Sequence, residues 1–116
     1  MSGDKYYDLE ERTLRFTKQV VEFLKQVPNT LENTEFSKQL IRSSSSVGAN
    51  YIEANESLGK KDFLMRVRIC KKESKETKYW IELLTCPDGL DNKRKTLIQE
   101  AIELMKIFGA ILEKSK

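Results

Sequence analysis

Hydrophobic residues recur at alternating steps of four and three along four stretches of the chain, which is the spacing of one helical face. The first stretch runs from about Asp8 to Val27 and is stopped by Pro28 and Asn29. Its stripe consists of Leu9, Thr13, Phe16, Val20, Phe23 and Val27. No alternation typical of strands competes with this pattern, so the stretch predicts an amphipathic helix.

The second and third stretches repeat this spacing. A cap near Asn33 is expected to begin the second helix and Gly59 to end it, while Asp62 is expected to cap the third. The second stripe consists of Phe36, Leu40, Ser44, Val47, Tyr51, Ala54 and Leu58. The third consists of Phe63, Val67, Cys70, Ser74, Thr77, Ile81 and Leu84.

The fourth stretch follows a turn signal at residues 87–89, and one charged residue, Arg94, interrupts its stripe. The stripe consists of Leu90, Arg94, Leu97, Ala101, Leu104, Phe108 and Ile111. Because the connections are short, consecutive helices are expected to be antiparallel neighbours. The pattern therefore predicts an all-α fold, an up-down-up-down antiparallel four-helix bundle, in a single domain over residues 1–116.

A run of small residues, Ser43–Ser46 followed by Gly48, interrupts good helix formers in the second helix. It indicates either a tight crossing inside the bundle or a contact between subunits. The second helix has another strip of small and apolar residues beside its core stripe, and the third helix has apolar residues away from its core stripe; both favour an oligomer. For Ile69 and Trp80 the alternative is that they belong to the chain's own core. The expected interface residues are Ile41, Ser45, Gly48, Ile52, Met65, Ile69 and Trp80.

Charge is concentrated in the third helix. The chain carries a net charge of +3, and the segment from Lys60 to Lys78, with eight bases and three acids, accounts for all of this excess. Seven of these bases fall on one flank of a helix and the acids on another. Such a flank is either ordinary solvated surface or a stripe that binds phosphates. The candidate nucleic-acid-binding residues are Lys61, Arg68, Lys71, Lys72, Lys75 and Lys78.

Only Tyr79 is well placed to stack on a base beside this stripe. Sequence-specific reading is therefore not expected, and binding should be sensitive to salt and tolerant of sequence.

Composition argues against several kinds of chemistry. The chain has no histidine, which excludes histidine acid–base catalysis and histidine metal ligands. Nucleotide-binding and hydrolase motifs are also missing, so we expect no catalytic residues, no metal and no cofactor. The acidic pairs Glu53/Glu56 and Glu73/Glu76 are interpreted as solvated helix surface, and an enzyme that uses them is the remaining alternative.

The remaining features concern location. Cys70 and Cys86 are expected to be reduced thiols of a cytoplasmic protein, with a disulfide between them as the alternative. No apolar run is long enough to span a bilayer, so no membrane association is expected. The opening segment from Met1 to Asp8 does not have the pattern of a secretory leader.

A motif in the second helix resembles a known family. Residues 39–53, QLIRSSSSVGANYIE, resemble the signature of the bacterial four-helix-bundle family of 23S rRNA intervening-sequence proteins. Residues 60–63 and 73–80 continue the match, which is specific between Phe36 and Leu84. Two positions depart from the pattern: Gly48, where many members carry proline, and Ile52, where a smaller residue is usual.

The resemblance implies an up-and-down bundle that assembles as a ring-like homopentamer with a basic surface. Some members are encoded within insertions in ribosomal RNA genes. A similar group serves as accessory proteins of diversity-generating retroelements, which bind a reverse transcriptase and nucleic acid. Two hypotheses follow. The first is a non-catalytic, oligomeric scaffold that binds nucleic acid, with RNA preferred over DNA and ribosomal RNA as one candidate partner. The second is an accessory module for a reverse transcriptase or another nucleic-acid enzyme.

The resemblance carries over no catalytic residues, and its motif residues Arg42, Ser43, Asn50 and Glu53 are interpreted as architectural. Arg42 and Glu53 fall together on the face opposite the core. We expect them to pair with residues of a neighbouring helix or subunit, or else to be solvated ions that add little stability.

Overall fold

Four α-helices account for most of the computed structural model, which describes residues 8–116. They are α1 (Leu9–Leu24), α2 (Leu31–Asn55), α3 (Lys60–Leu83) and α4 (Asp91–Lys114), and one turn of 3-10 helix over Asp88–Leu90 precedes α4. Within residues 8–116 no strand is present, which confirms the all-α fold. The opening segment without a leader pattern falls mainly on residues 1–7, outside the described residues.

The predicted stripes form the core. In α1 and α4 the buried residues are those of the stripe, except that Arg94 is half-buried and Val27 lies half-buried beyond the end of α1. In α3, Phe63 is half-buried and the rest of the stripe is buried. The largest fully buried side chains include Phe16 of α1 and Phe108 of α4, the first and the last helix of the chain. Burial of these apolar faces is the main force that holds the helices together.

The beginning of α2 differs from the prediction. The cap is Thr30, whose hydroxyl accepts a hydrogen bond of 3.1 Å from the backbone N–H of Asn33, and α2 begins at Leu31. Asn33, the predicted cap, is instead buried within the first turn. Both residues are good caps by type, and the sequence pattern could not decide between them.

The connection between α2 and α3 also differs from the prediction. α2 ends at Asn55, so Gly59 does not stop it, and Leu58 is fully exposed instead of continuing the stripe. Gly59 is the residue that precedes the first turn of α3. Asp62 therefore lies inside that turn and is not the cap. Its negative charge is stabilised there by the positive N-terminal end of the helix dipole.

The spacing of the helix backbones defines which helices are neighbours. α2 packs against α1 and α3, and α3 packs against α2 and α4, whereas α1 and α4 touch much less. The start of α1 meets the end of α2, where Asn55 donates a hydrogen bond of 2.8 Å to Glu10. The start of α2 meets the end of α3, where the side chain of Asn33 bonds the backbone of Thr85.

The serine run lies at close crossings inside the bundle. The hydroxyl of Thr17 donates to the carbonyl oxygen of Ser44 at 3.0 Å, and the hydroxyls of Ser43 and Thr77 are hydrogen-bonded at 2.9 Å. A Cβ atom on Gly48 would stand 2.9 Å from Oγ1 of Thr13. The small side chains therefore allow α1 and α3 to approach α2, which supports the first of the two interpretations of this run.

Arg94 explains why a charged residue interrupts the fourth stripe. Its guanidinium donates hydrogen bonds to the carbonyl oxygens of Ile81 and Leu84, where α3 ends. The carbonyl of Ile81 also accepts a hydrogen bond of 3.4 Å from the backbone N–H of Leu84, and a cation beside these last carbonyls is stabilised by the negative end of the helix dipole. Arg94 therefore caps α3 from the neighbouring helix.

Candidate nucleic-acid interface

The basic residues singled out in α3 lie on its outer side. Five of them are exposed, and Lys78 is half-buried. Lys71 leans over α4, where its Cε lies 3.7 Å from the point that a Cβ on Gly109 would occupy. The helix places them there because they occupy positions between those of the buried stripe, which faces α2 and α4. The structure therefore brings all six onto one rigid element.

Most of these bases form no ion pair, so the surface keeps most of its positive charge. Of the six bases, Lys78 forms a salt bridge, to Glu82 at 3.1 Å. For the other five, the structure over residues 8–116 contains no ion pair. We define the basic face as these five residues: Lys61, Arg68, Lys71, Lys72 and Lys75. Tyr79, more than half exposed, lies one turn beyond Lys75, and its ring packs against Trp80 in a T-shaped arrangement at a centroid distance of 5.1 Å.

Two of the acids of α3, Glu73 and Glu76, are bound on the other flank of the helix. Arg42 of α2 forms ion pairs with Glu73, at 3.3 Å, and with Glu76. Glu76 also accepts a hydrogen bond of 3.2 Å from the indole N–H of Trp80. These contacts hold both carboxylates towards α2, so they do not neutralise the basic face.

The same contacts decide two expectations about charged residues. Arg42 pairs with a neighbouring helix, as expected, whereas Glu53 forms no ion pair within the described residues. The interpretation of Glu73 and Glu76 as solvated surface is wrong, because the Glu73 side chain is only 12% exposed and both acids bond Arg42. The charge of Arg42 on another helix explains the difference.

The candidate interface residues divide into two groups. Ile41, Ser45, Ile52 and Met65 are exposed on α2 and α3. The other three are partly covered by the chain itself: Gly48 faces Thr13, and Ile69 and Trp80 are half-buried.

Trp80 packs beside the ring of Phe36 at a centroid distance of 6.1 Å and belongs to the margin of the core. The exposed residues are those that remain available to a second subunit.

The two cysteines do not form a disulfide. Cys70 is buried in α3 and Cys86 lies in the connection to α4, and both are free thiols. The Cys70 thiol contacts the carbonyl oxygen of Val47 at 3.4 Å, and burial raises its pKa to about 12. The disulfide alternative is therefore wrong, and Cys70 behaves as a small core residue.

Neither a metal cluster nor a membrane span is found in the part of the chain that the structure describes. Residues 8–116 contain no group of three or more cysteine or acidic residues arranged to hold a metal ion. Over the same residues, no helix is both long and apolar enough to cross a membrane.

The fold is a small bundle of four helices, with a basic face on α3. Comparison with known proteins identifies the family of the chain. The sequence profile described as 23S rRNA-intervening sequence protein matches residues 6–110. Because this match covers most of the sequence, the chain belongs to the 23S rRNA-intervening sequence protein family.

A solved structure supports the same assignment. The chain is similar to a crystal structure of a protein with unknown function from the S23 ribosomal protein family, from Bacteroides thetaiotaomicron VPI-5482. The two share 28% sequence identity with a TM-score of 0.80, and the match covers 94% of this chain and 98% of the other. No curated protein matches the chain.

Proposed function

We propose that this protein is a non-catalytic helical scaffold that binds RNA through the basic face of α3. The observation that carries the proposal is the separation of charge on this helix. Glu73 and Glu76 are bound by Arg42, whereas five bases on the outer side have no ion pair within residues 8–116. Unpaired cations on one rigid helix attract the regularly spaced phosphates of a polyanion. The family description, which refers to 23S rRNA, favours RNA over other polyanions.

The proposal includes an assembly and a topology. The contacts of Asn55 with Glu10 and of Asn33 with Thr85 support an up-down-up-down order of the helices. Exposed Ile41, Ile52 and Met65 support burial against further copies, and the family resemblance favours a ring-like homopentamer. A ring would repeat the basic face and multiply a weak affinity for RNA. The proposed location is the cytoplasm, where free thiols persist.

The test of RNA binding is a charge reversal on the basic face. The triple variant Lys71→Glu, Lys72→Glu, Lys75→Glu should lose at least about tenfold in affinity for a structured RNA, because log K depends on the number of phosphates neutralised. The matched control, Lys25→Glu, Lys38→Glu, Lys116→Glu, makes the same change in net charge just beyond α1, on α2 and at the end of the chain, and should bind nearly as the parent does. Fluorescence anisotropy at several salt concentrations measures both affinity and salt slope.

Two results would contradict the proposal. Equal losses in both triple variants would indicate attraction by net charge alone. Unchanged binding in the α3 variant would exclude the basic face. Circular dichroism confirms that each variant remains helical.

Assembly requires a separate measurement. Light scattering should give a multiple of the 13.5 kDa chain mass, five copies if the pentamer is correct. The variant Ile41→Glu with Ile52→Glu should shift the protein towards the monomer, because it places charge in the proposed contact. A parent protein that is monomeric at micromolar concentration would exclude the assembly.

The second candidate is an accessory module that binds a reverse transcriptase or another nucleic-acid enzyme. The exposed apolar residues of α2 and α3 favour it, because such residues suit a protein partner as well as a second copy. Affinity purification from the native host discriminates the two candidates. A polymerase retained after nuclease treatment supports the module, and RNA retained without a protein partner supports the scaffold.

A further inference from the structure

A groove runs between α1 and α4, because these helices touch less than the other neighbouring pairs. One cleft of about 470 Å³ has Phe23 of α1 and Leu97 of α4 among its lining residues. A second cleft of about 830 Å³ continues it, and both clefts are lined by Arg15, Gln19 and Thr96. We call the two clefts together the α1–α4 groove. The volume of the first cleft falls within the range of ligand pockets, about 300–1,000 Å³, and is large enough for a few apolar side chains.

Charge around this groove is predominantly positive. Its bases are Arg12, Arg15, Lys18, Lys93 and Lys95, and its acids are Glu22 and Glu100. Both acids are already bound: Glu100 forms a bidentate pair with Arg12, at 2.7 and 2.8 Å, and Glu22 pairs with Lys25. The other bases of the groove form no ion pair within residues 8–116. A partner with negative charge at its edges would complement this surface.

The floor of the groove distinguishes it from the basic face of α3. Phe23 and Leu97 are only 3% and 4% exposed, so the floor is apolar but offers no open aromatic ring on which a base could stack. The aliphatic stems of the rim lysines extend this apolar surface. An occupant that brings apolar side chains to the centre and carboxylates to both edges fits such a groove better than a nucleic acid does.

We propose that the α1–α4 groove binds an acidic amphipathic helix of a partner protein. A helix laid along a groove inserts the side chains of one stripe and leaves its flanks at the rim. Leucines on that stripe would lie over the buried floor and contact the aliphatic stems of Arg15, Lys18 and Lys93, and glutamates beside it would meet the charged ends of the same three side chains. This site lies on other helices than the basic face of α3 and does not depend on RNA binding.

The experiment uses a labelled peptide of about the length of α1, which has 16 residues, or roughly 24 Å of helix. Its leucines follow the i, i+3, i+4, i+7 spacing, and glutamates flank the leucine stripe. One control peptide has lysine in place of every glutamate, and the other has serine in place of every leucine. Fluorescence anisotropy with the full chain should detect binding of the acidic leucine peptide and much weaker binding of both controls.

Two groove variants test the location. Arg15→Glu with Lys93→Glu should weaken peptide binding at least about tenfold, because the rim charge is reversed. Thr96→Trp should weaken it similarly by filling the shared wall of the clefts, while it leaves the core untouched because Thr96 is exposed. The matched control Lys38→Glu with Lys106→Glu should bind the peptide nearly as the parent does.

Three outcomes would overturn the proposal. The first is peptide binding that is equal in the groove variants and the control. The second is competition by RNA: a labelled RNA displaces the peptide from the parent protein, and the Thr96→Trp variant no longer binds that RNA. This result would assign the groove to nucleic acid. The third is a change of oligomeric mass in Thr96→Trp, which would assign it to a second copy of this chain.

Discussion

Gly48 of α2 and Thr13 of α1 approach so closely that a Cβ at position 48 would stand 2.9 Å from Oγ1 and 3.3 Å from Cβ of Thr13. The Thr13 hydroxyl cannot turn away freely, because it donates to the carbonyl oxygen of Leu9 at 2.7 Å and its Cβ is branched. The crossing of α1 and α2 therefore requires glycine at this position.

Gly48→Ala should destabilise the protein. Alanine gains up to about 1 kcal/mol of helix propensity over glycine, but forcing a methyl group into a packed crossing costs about 1–3 kcal/mol. The expected net loss is about 1 kcal/mol in the free energy of unfolding, measured by urea denaturation. A Thr13→Ala background should reduce the loss, because it removes the closest atom.

Gly109 of α4 is the matched control for this prediction. The nearest atom to a Cβ there is Cε of the flexible Lys71, at an ordinary contact distance of 3.7 Å. Gly109→Ala should therefore stabilise the protein by about 0.5–1 kcal/mol, because propensity acts without a clash. Equal effects at positions 48 and 109 would show that the close crossing has no energetic weight.

Asn33 joins the two loops at one end of the bundle. Its amide group donates to the carbonyl oxygens of Pro28, at 3.0 Å, and Thr85, at 2.9 Å, and its oxygen accepts from the N–H of Thr85. Asn33→Ala leaves these backbone groups without that partner, so we expect a loss of about 2–4 kcal/mol. Urea denaturation measures it. Asn29→Ala, at an exposed asparagine of the same loop, is the control and should change stability by less than about 0.5 kcal/mol.

The sequence predicted the stripes well but the polar contacts poorly, and Asn33 shows why. Periodicity reports which side of a helix is apolar, so Phe16, Val20 and Leu104 could be placed in the core from their spacing alone. The partner of Asn33 is Thr85, which lies 52 residues away. No local pattern indicates such a contact, so the sequence alone predicts only a helix cap near Asn33.

The candidate sites divide in the same way. The basic face could be predicted because its residues lie on a single helix, where angle follows from residue number. The α1–α4 groove could not, because Arg15 and Lys93 belong to opposite ends of the chain and only the packing of α1 beside α4 brings them together. Helical periodicity predicts the face of Arg42, but its partners Glu73 and Glu76 can be identified only once the position of α3 beside α2 is known.

The cluster of Arg42, Glu76 and Trp80 should report on the contact between α2 and α3. Arg42→Ala should cost about 1–2 kcal/mol, because the arginine side chain is 45% exposed but its loss leaves Glu73, which is 12% exposed, without its ion-pair partner. The emission of Trp80, the chain's one tryptophan, should change, because Glu76 is no longer held beside the indole N–H. Arg42→Lys, which keeps one charge without the guanidinium fork, should give an intermediate result. Unchanged emission in Arg42→Ala would contradict the contact.

Cys70 and Cys86 should react with thiol reagents at very different rates. Burial raises the pKa of both thiols, but Cys70 is fully buried with a pKa of about 12, whereas Cys86 is only half-buried. One equivalent of an aromatic disulfide reagent should therefore react readily at pH 8, and the second only after unfolding, because the thiolate is the reactive form. Cys86→Ser should abolish the first phase, and equal rates at both positions would contradict the buried placement of Cys70.

The same burial of Cys70 predicts a pH dependence of stability. Since the folded protein holds the Cys70 proton more tightly than the unfolded chain, whose pKa is near the ordinary value of 9.0, the thiol's contribution is complete below pH 9 and is lost as pH rises towards 12. Cys70→Ala should be less stable than the parent at pH 7, because it leaves a small cavity. Between pH 9 and 11, however, its stability should fall less steeply. Parallel stability curves for the two proteins, measured by urea denaturation across this range, would show that Cys70 does not titrate as a buried thiol.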